Sequence, residues 1–205
     1  GNNVCASLMH GAAKLGVHLT VICPKGYQPD TPVLEESRAL AQTSGSTITI
    51  THDPAAIKGA QAVYTDTWVS MGDEAEKVKR MAAFAKFRVD ERLMEQAANG
   101  GGAEPFFMHC LPAHRGAEVT DAVIDSPTSV VYDQAENRMH VQNALLLLCL
   151  APEVLLIASR HAGLLNRNRL VNCAGSRQTP YRQYDQKIFH PSASSMDARL
   201  CCSRL

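Results

Sequence analysis

The chain of 205 residues carries 20 Lys and Arg against 20 Asp and Glu, with 45% apolar and 20% charged residues. That length holds one large domain or two small ones, and the composition excludes a wholly disordered or collagen-like chain. Zero net charge removes any global case for nucleic acid or an anionic membrane surface as partner. The zero is nevertheless a sum of unlike parts: residues 1–150 hold 12 basic and 17 acidic side chains, residues 151–205 hold 8 and 3.

Neither a basic n-region nor an apolar h-region follows Gly1, so no signal peptide is expected. The longest apolar run, Ala144 to Ala151, is too short to span a bilayer. The seven cysteines contain no CxxC pair, which argues against a zinc ribbon or a secreted disulfide framework. Reduced thiols in the cytoplasm are expected, or in a mitochondrial or plastid matrix if a transit peptide has been lost.

In chain order, Val4 to Leu15 reads as a helix stopped by Gly16, and Leu19 to Cys23 as a buried strand closed by Pro24-Lys-Gly26. Pro32 to Thr43 is helical, Thr47 to Thr51 a strand, Pro54 to Lys58 one short helical turn, and Gln61 to Thr65 a strand. Asp73 to Ala85 and Asp90 to Ala98 are helices with charged faces. Asn99-Gly-Gly-Gly102 is a flexible loop, and a phosphate cradle there lacks the strand that should lead into it. Pro105 to His109 is a strand, Val119 to Asp125 a helical turn, Thr128 to Tyr132 a strand and Ala135 to Leu150 an apolar-faced helix. This βα alternation predicts an α/β fold, a Rossmann-like parallel sheet with helices on both faces. The tail after Pro152 lacks period, carries seven Arg and one Lys, and reads as loosely structured.

Ligands of such sheets bind at the loops beyond the carboxyl ends of the strands. After Gln61–Thr65 come Asp66-Thr-Trp-Val-Ser70-Met71-Gly72, where Asp66 and Ser70 could hold an ammonium group; alternatively Ser70 or Asp73 merely caps the next helix. After Pro105–His109 come His109-Cys110-Leu111-Pro112-Ala113-His114-Arg115-Gly116. A Cys–His nucleophile pair, a metal site, or a buried Cys with solvent-facing His114 and Arg115 all remain open there. Neighbours on a strand face opposite ways, which places His109 poorly for activating Cys110. Arg138 could offer a fork to a carbonyl, carboxylate or phosphate, or simply pair with Glu136 or Asp133 at the surface. Gly1-Asn2-Asn3 opens a helix whose free N–H groups suit an anion.

In this order, five strings resemble the ornithine carbamoyltransferases. They are Gly1-Asn-Asn3, Pro24-Lys-Gly-Tyr27 followed by Pro29-Asp30, Asp66-Thr-Trp-Val-Ser-Met-Gly72, Phe107-Met-His-Cys-Leu-Pro-Ala-His-Arg-Gly116, and Ala135-Glu-Asn-Arg138. The resemblance covers residues 1 to about 150, the ornithine-binding domain, and leaves 151–205 as a non-family basic tail. It implies transfer of a carbamoyl group from carbamoyl phosphate to ornithine, giving citrulline and phosphate, as in arginine biosynthesis or the urea cycle. Asn3, Asp66, Ser70 and Met71 would then hold the α-amino acid end of ornithine. Cys110 and Leu111 would lie beside the δ-amine, and Arg138 would polarise the carbamoyl oxygen, so that Cys110, Arg138 and Asp66 carry the catalysis. Pro112 matches a cis-proline. No metal or organic cofactor is implied, and full-length members would form homotrimers.

The family's carbamoyl-phosphate half, with its Ser-Thr-Arg-Thr loop, has no counterpart in these residues, nor does the strand expected before Gly1. The chain is therefore expected to be an N-terminally incomplete fragment, inactive alone. Val154–Ala158 is the tail segment apolar enough to stand in for that strand. A non-catalytic amino-acid-binding or regulatory remnant, and a Cys110-dependent hydrolase, are the alternatives.

Overall fold

The computed structural model describes residues 2–69, 74–99, 103–151, 153 and 197–200. The expectations for Gly1, Ser70–Asp73, Gly100–Gly102 and Val154–Ala158 lie outside these residues, as does most of the tail. The chain divides into two units, residues 1–135 with 194–205, and residues 136–193.

In the first unit, α1 (Asn3–Leu15) starts where the Asn2 side chain accepts from Cys5 N at 2.8 Å. It stops at Gly16, whose φ of 76° favours a residue without Cβ. Cys5, Met9 and Ala13, four residues apart, are fully buried and form its inner face. The strand β1 (His18–Ile22) follows, then α2 (Thr31–Ser44), with Pro32 in its first turn, and β2 (Ile48–Thr51). A 3-10 turn (Pro54–Ile57) leads into β3 (Ala62–Thr65). The expected helix over Asp73–Ala85 is shorter than its pattern suggests: α3 covers Lys77–Phe84 between 3-10 turns at Glu74–Glu76 and Ala85–Phe87. Next come α4 (Glu91–Ala98), capped by Asp90, β4 (Phe106–His109), and the single turn α5 (Asp121–Ile124).

The segment Thr128–Tyr132 is not a strand. Ser129 makes one isolated parallel bridge to Phe107, and helix α6 (Val131–Leu150) begins almost at once. Val131, only 1% exposed, anchors that helix start in the core, so packing overrides its β preference.

Among the described residues every strand pair is parallel, as the βα alternation predicts. One sheet has the order β2-β1-β5, where β5 is Asp197–Leu200; the other pairs β3 with β4. Leu19 lies opposite Ile48 on one side and Ala198 on the other, and Val63 lies opposite Phe107. The tail strand is thus Asp197–Leu200, where the sequence offered Val154–Ala158.

Two apolar clusters show helices on both faces. Leu19, Val21, Cys23 and Tyr64 pack with Cys5, Met9 and Ala41 of α1 and α2. Ile22, Val63 and Phe107 pack with Ile57, Leu93, Ala97, Val123 and Ile124. Successive strand residues join opposite clusters, which is the period of two expected of strands buried on both faces.

Candidate active site

The period of two decides what each strand end presents. On β3, Thr65 is followed by Asp66, and on β4, His109 is followed by Cys110; Thr65 lies in register with His109. Cys110 therefore packs on the face of α1 and α2, whereas His109 turns to the other face.

Asp66 is the hub of the first face. Its side chain is nearly buried, and its two oxygens accept from Asn2 Nδ2 at 2.6 Å, Cys110 Sγ at 2.9 Å and its neighbour Thr67 N at 2.7 Å. The alternative, that Ser70 or Asp73 caps the next helix, falls on residues outside those described. Burial pushes the Cys110 thiol up to about 12, and the hydrogen bond and charge of Asp66 add to the effect. Cys110 is thus a protonated hydrogen-bond donor at neutral pH, the opposite of an activated nucleophile. Tyr64, raised above the usual phenol range by burial first and Cys110 next, faces both Cys110 and Gln134. Gln134, at the start of α6, also accepts from His109 N at 3.1 Å through its side-chain oxygen.

On the opposite face, His109 and Glu118 are both almost wholly buried, with Nε2 3.3 Å from Oε1. Leu111 N donates to His109 Nδ1 at 2.8 Å, which leaves the ring proton on Nε2, towards Glu118. The same Glu118 oxygen accepts from His114 N. The Leu111–Pro112 peptide is cis, as the resemblance implies, and Leu111 holds φ at 55° in the left-handed region, which costs a β-carbon residue about 1–2 kcal/mol. The loop is held in that form from beneath by His109 and Glu118.

His109, Cys110 and His114 do not converge as a metal site, and among the described residues no group of three or more His, Cys, Asp or Glu could hold a metal ion. His114 is largely exposed, and Arg115 forks onto Asp125 at 2.6 and 2.9 Å and onto Asp121 at 2.8 Å, so Arg115 braces the loop against α5. Trp68, 3% exposed, stacks on Phe84, which meets Tyr27 edge-on at 4.8 Å. That aromatic cluster fixes the chain as it leaves Asp66.

Of the residues expected from sequence, Asp66 and Cys110 are in direct contact and Leu111 follows them. Asn3 lines a cavity of about 200 Å³ with Asn2, Ala6, Pro29, Asp30 and Val33. Ser70 and Met71 lie outside the described residues. Arg138 belongs to the second unit and is exposed on α6. Sequence reading missed Tyr64, Gln134 and Glu118. Tyr64 was detectable from the period of two, which places it on the face of Cys110, but nothing local distinguishes Glu118 or Gln134.

The model of the aspartate/ornithine carbamoyltransferase Asp/Orn-binding domain matches residues 1–149. An ornithine carbamoyltransferase of Anoxybacillus flavithermus is 51% identical over 147 residues, 71% of this chain and 46% of that protein. One of Shewanella oneidensis is 53% identical over 146 residues, again 71% of this chain and 47% of the relative. The chain thus spans about half the length of the curated relatives it matches. The solved ornithine carbamoyltransferase of Pyrococcus furiosus superposes with a TM-score of 0.67 at 50% identity, over 72% of this chain and 46% of that one. The fold, the strand-end motifs and these likenesses agree: the chain belongs to the aspartate/ornithine carbamoyltransferase family.

Proposed function

We propose that this chain binds L-ornithine at the strand ends around Asp66 and supplies the ornithine side of a carbamoyl transfer from carbamoyl phosphate. The observation that carries the reading is the nearly buried Asp66 carboxylate, flanked by the Asn2 amide and the Cys110 thiol in a domain of the family's amino-acid-binding type. A carboxylate in a low-dielectric setting attracts an ammonium group strongly. Asp66 would pair with the α-ammonium of ornithine, and Asn3, Ser70 and Met71 would hold the rest of its α-amino acid end. The cavity lined by Asn2 and Asn3 supports that assignment for Asn3.

Cys110 and Leu111 would flank the δ-amine. A thiol that keeps its proton can orient a neutral amine without competing with it as nucleophile. The amine's lone pair attacks the carbamoyl carbon, the tetrahedral adduct expels phosphate, and the amine loses its proton. Arg138 would stabilise the charge that gathers on the carbamoyl oxygen. Orientation and electrostatics then supply the rate enhancement.

Calorimetry of the full chain with L-ornithine tests the binding step. Saturable binding that weakens ten-fold or more in Asp66→Asn is expected; equal binding by parent and variant refutes the assignment.

A further inference from the structure

Tyr64 and Asp66 stand two residues apart at the end of β3, so both face the side on which Cys110 leaves β4. Tyr64 is 4% exposed, and its phenol hydrogen-bonds both Cys110 and the side chain of Gln134 in the first turn of α6. Gln134 accepts from His109 N, and Cys110 Sγ donates to Asp66 Oδ1, so the series is unbroken. We propose that it is a one-way hydrogen-bond chain, running from His109 N through Gln134, Tyr64 and Cys110 to Asp66. Tyr64 and Gln134 are then positioning residues: they turn a lone pair of the Cys110 sulfur, not its proton, toward an amine substrate. The inference rests on the proposed ornithine site for the identity of that amine.

Counting protons fixes the direction. Asp66 closes the chain as an acceptor, since its oxygens also take the N–H groups of Thr67 and Asn2. Cys110 has one proton, and that proton goes to Asp66. In its bond with Tyr64 the sulfur therefore accepts and the phenol O–H donates. The phenol has one proton too, so the Gln134 bond runs from the amide Nε2–H to the phenol oxygen. That leaves Gln134 Oε1 for His109 N, where the structure has it. The acidities agree with these senses. Burial raises Cys110 most, and Tyr64 acts against it, as a donor to sulfur does. Burial likewise raises Tyr64 most, and Gln134 acts against it, as a donor to the phenol oxygen does.

In such a chain each bond polarises the next, so the thiol donates to Asp66 more strongly than it would alone. The thiol cannot rotate without breaking two bonds. Its sulfur keeps one further lone pair, and Cys110 is partly exposed where Tyr64 is buried. An N–H of a neutral amine can be accepted there, which leaves the amine's own lone pair directed away from sulfur and open to an electrophile. A freely turning thiol would offer its proton to that lone pair and block it.

The S–H stretch of Cys110 in the full chain, isolated by Raman difference against Cys110→Ala, tests the chain. The band should lie below that of a solvent-exposed thiol. Tyr64→Phe removes the donor to sulfur and should move the band up and broaden it. Gln134→Glu keeps an oxygen for His109 N but cannot donate to the phenol. It draws the Tyr64 proton off the sulfur and should move the band the same way, although the packing is kept. Spectra are compared between variants whose circular dichroism matches the parent, and either variant carries the test if the other fails to fold. A band unmoved in Tyr64→Phe refutes the link to sulfur, and one unmoved in Gln134→Glu refutes the direction of the chain. No ornithine is present in these spectra, so an unmoved band counts against the chain alone, whereas a loss of calorimetric binding counts against the ornithine site alone.

Discussion

Asp66 and Cys110 end adjacent parallel strands, so each sets the other's chemistry. The thiol is held up to about 12 by burial first and by its hydrogen bond to Asp66 next. Asp66→Asn removes the charge and weakens the acceptor while leaving burial in place. The pH–rate midpoint for Cys110 alkylation should therefore move down from about 12 without reaching the value of a free thiol, near 8.5. A midpoint that stays put would show that Asp66 does not act on the sulfur. The same shift links to stability. A thiol with a higher pKa folded than unfolded contributes fully below the unfolded value, and that contribution is lost as pH climbs from about 8.5 to about 12. Thermal melts should show an alkaline loss of stability over that window that is smaller in Cys110→Ala than in the parent. Glu118 makes a different case. Glu118→Ala takes the carboxylate from beside the buried His109 ring and the acceptor from His114 N, at a cost of about 1–3 kcal/mol, whereas Glu118→Gln keeps an oxygen for one of them. Urea denaturation should rank Gln above Ala. Asp66 and Cys110 were readable because strand-end loops in parallel sheets are where polar residues gather. Glu118 was not, because it reaches His109 through a cis-proline loop whose path leaves no periodic mark.

The helices and strands of the first unit follow from local pattern. In α1, Cys5, Met9 and Ala13 recur at the helical spacing, and the turn residues Asn2 and Gly16 stand at its two ends. Where pattern and structure part, a tertiary contact is the reason. Val131 reads as strand but is captured as the buried first residue of α6, leaving Ser129 with a single bridge. Asp197–Leu200 was illegible as a strand because half its residues are charged and its partner β1 is remote in sequence, so neither period nor turn signals announce it. The start of α1 shows an element and a site sharing one side chain. Asn2 Oδ1 caps the helix at Cys5 N while its Nδ2 donates to Asp66. Asn2→Asp preserves the cap oxygen but sets a second carboxylate against Asp66, where like charges oppose ionisation. Its melting temperature should fall below the parent's at pH 7 and recover towards it near pH 4, as one carboxyl takes a proton. Asn2→Ala, which lacks both contacts, should be destabilised at both pH values. Equal pH responses of the two variants would separate Asn2 from Asp66.

At the scale of the whole chain, the two units bury apolar surface very differently. The first places its apolar side chains in two clusters on opposite faces of the parallel strands, as the βα alternation requires. The second is represented by α6 from Glu136 onward, where Met139, Val141 and Leu145 to Leu148 are all exposed. Consecutive leucines step about 100° around a helix, so this surface is apolar on every side and cannot be covered by a single stripe of contacts. Read from sequence, the same run is an apolar-faced helix over Ala135–Leu150, so its type and its end were legible and its start at Val131 was not; its lack of a polar face marks it as a segment whose exposure promotes association. Leu146→Gln and Leu150→Gln, at positions 57% and 79% exposed, remove part of that surface without opening a cavity. Such surface changes alter stability by no more than about 0.5 kcal/mol. The double variant should therefore melt with the parent yet scatter less light at equal concentration. A drop of several degrees would instead show these leucines packed against neighbours.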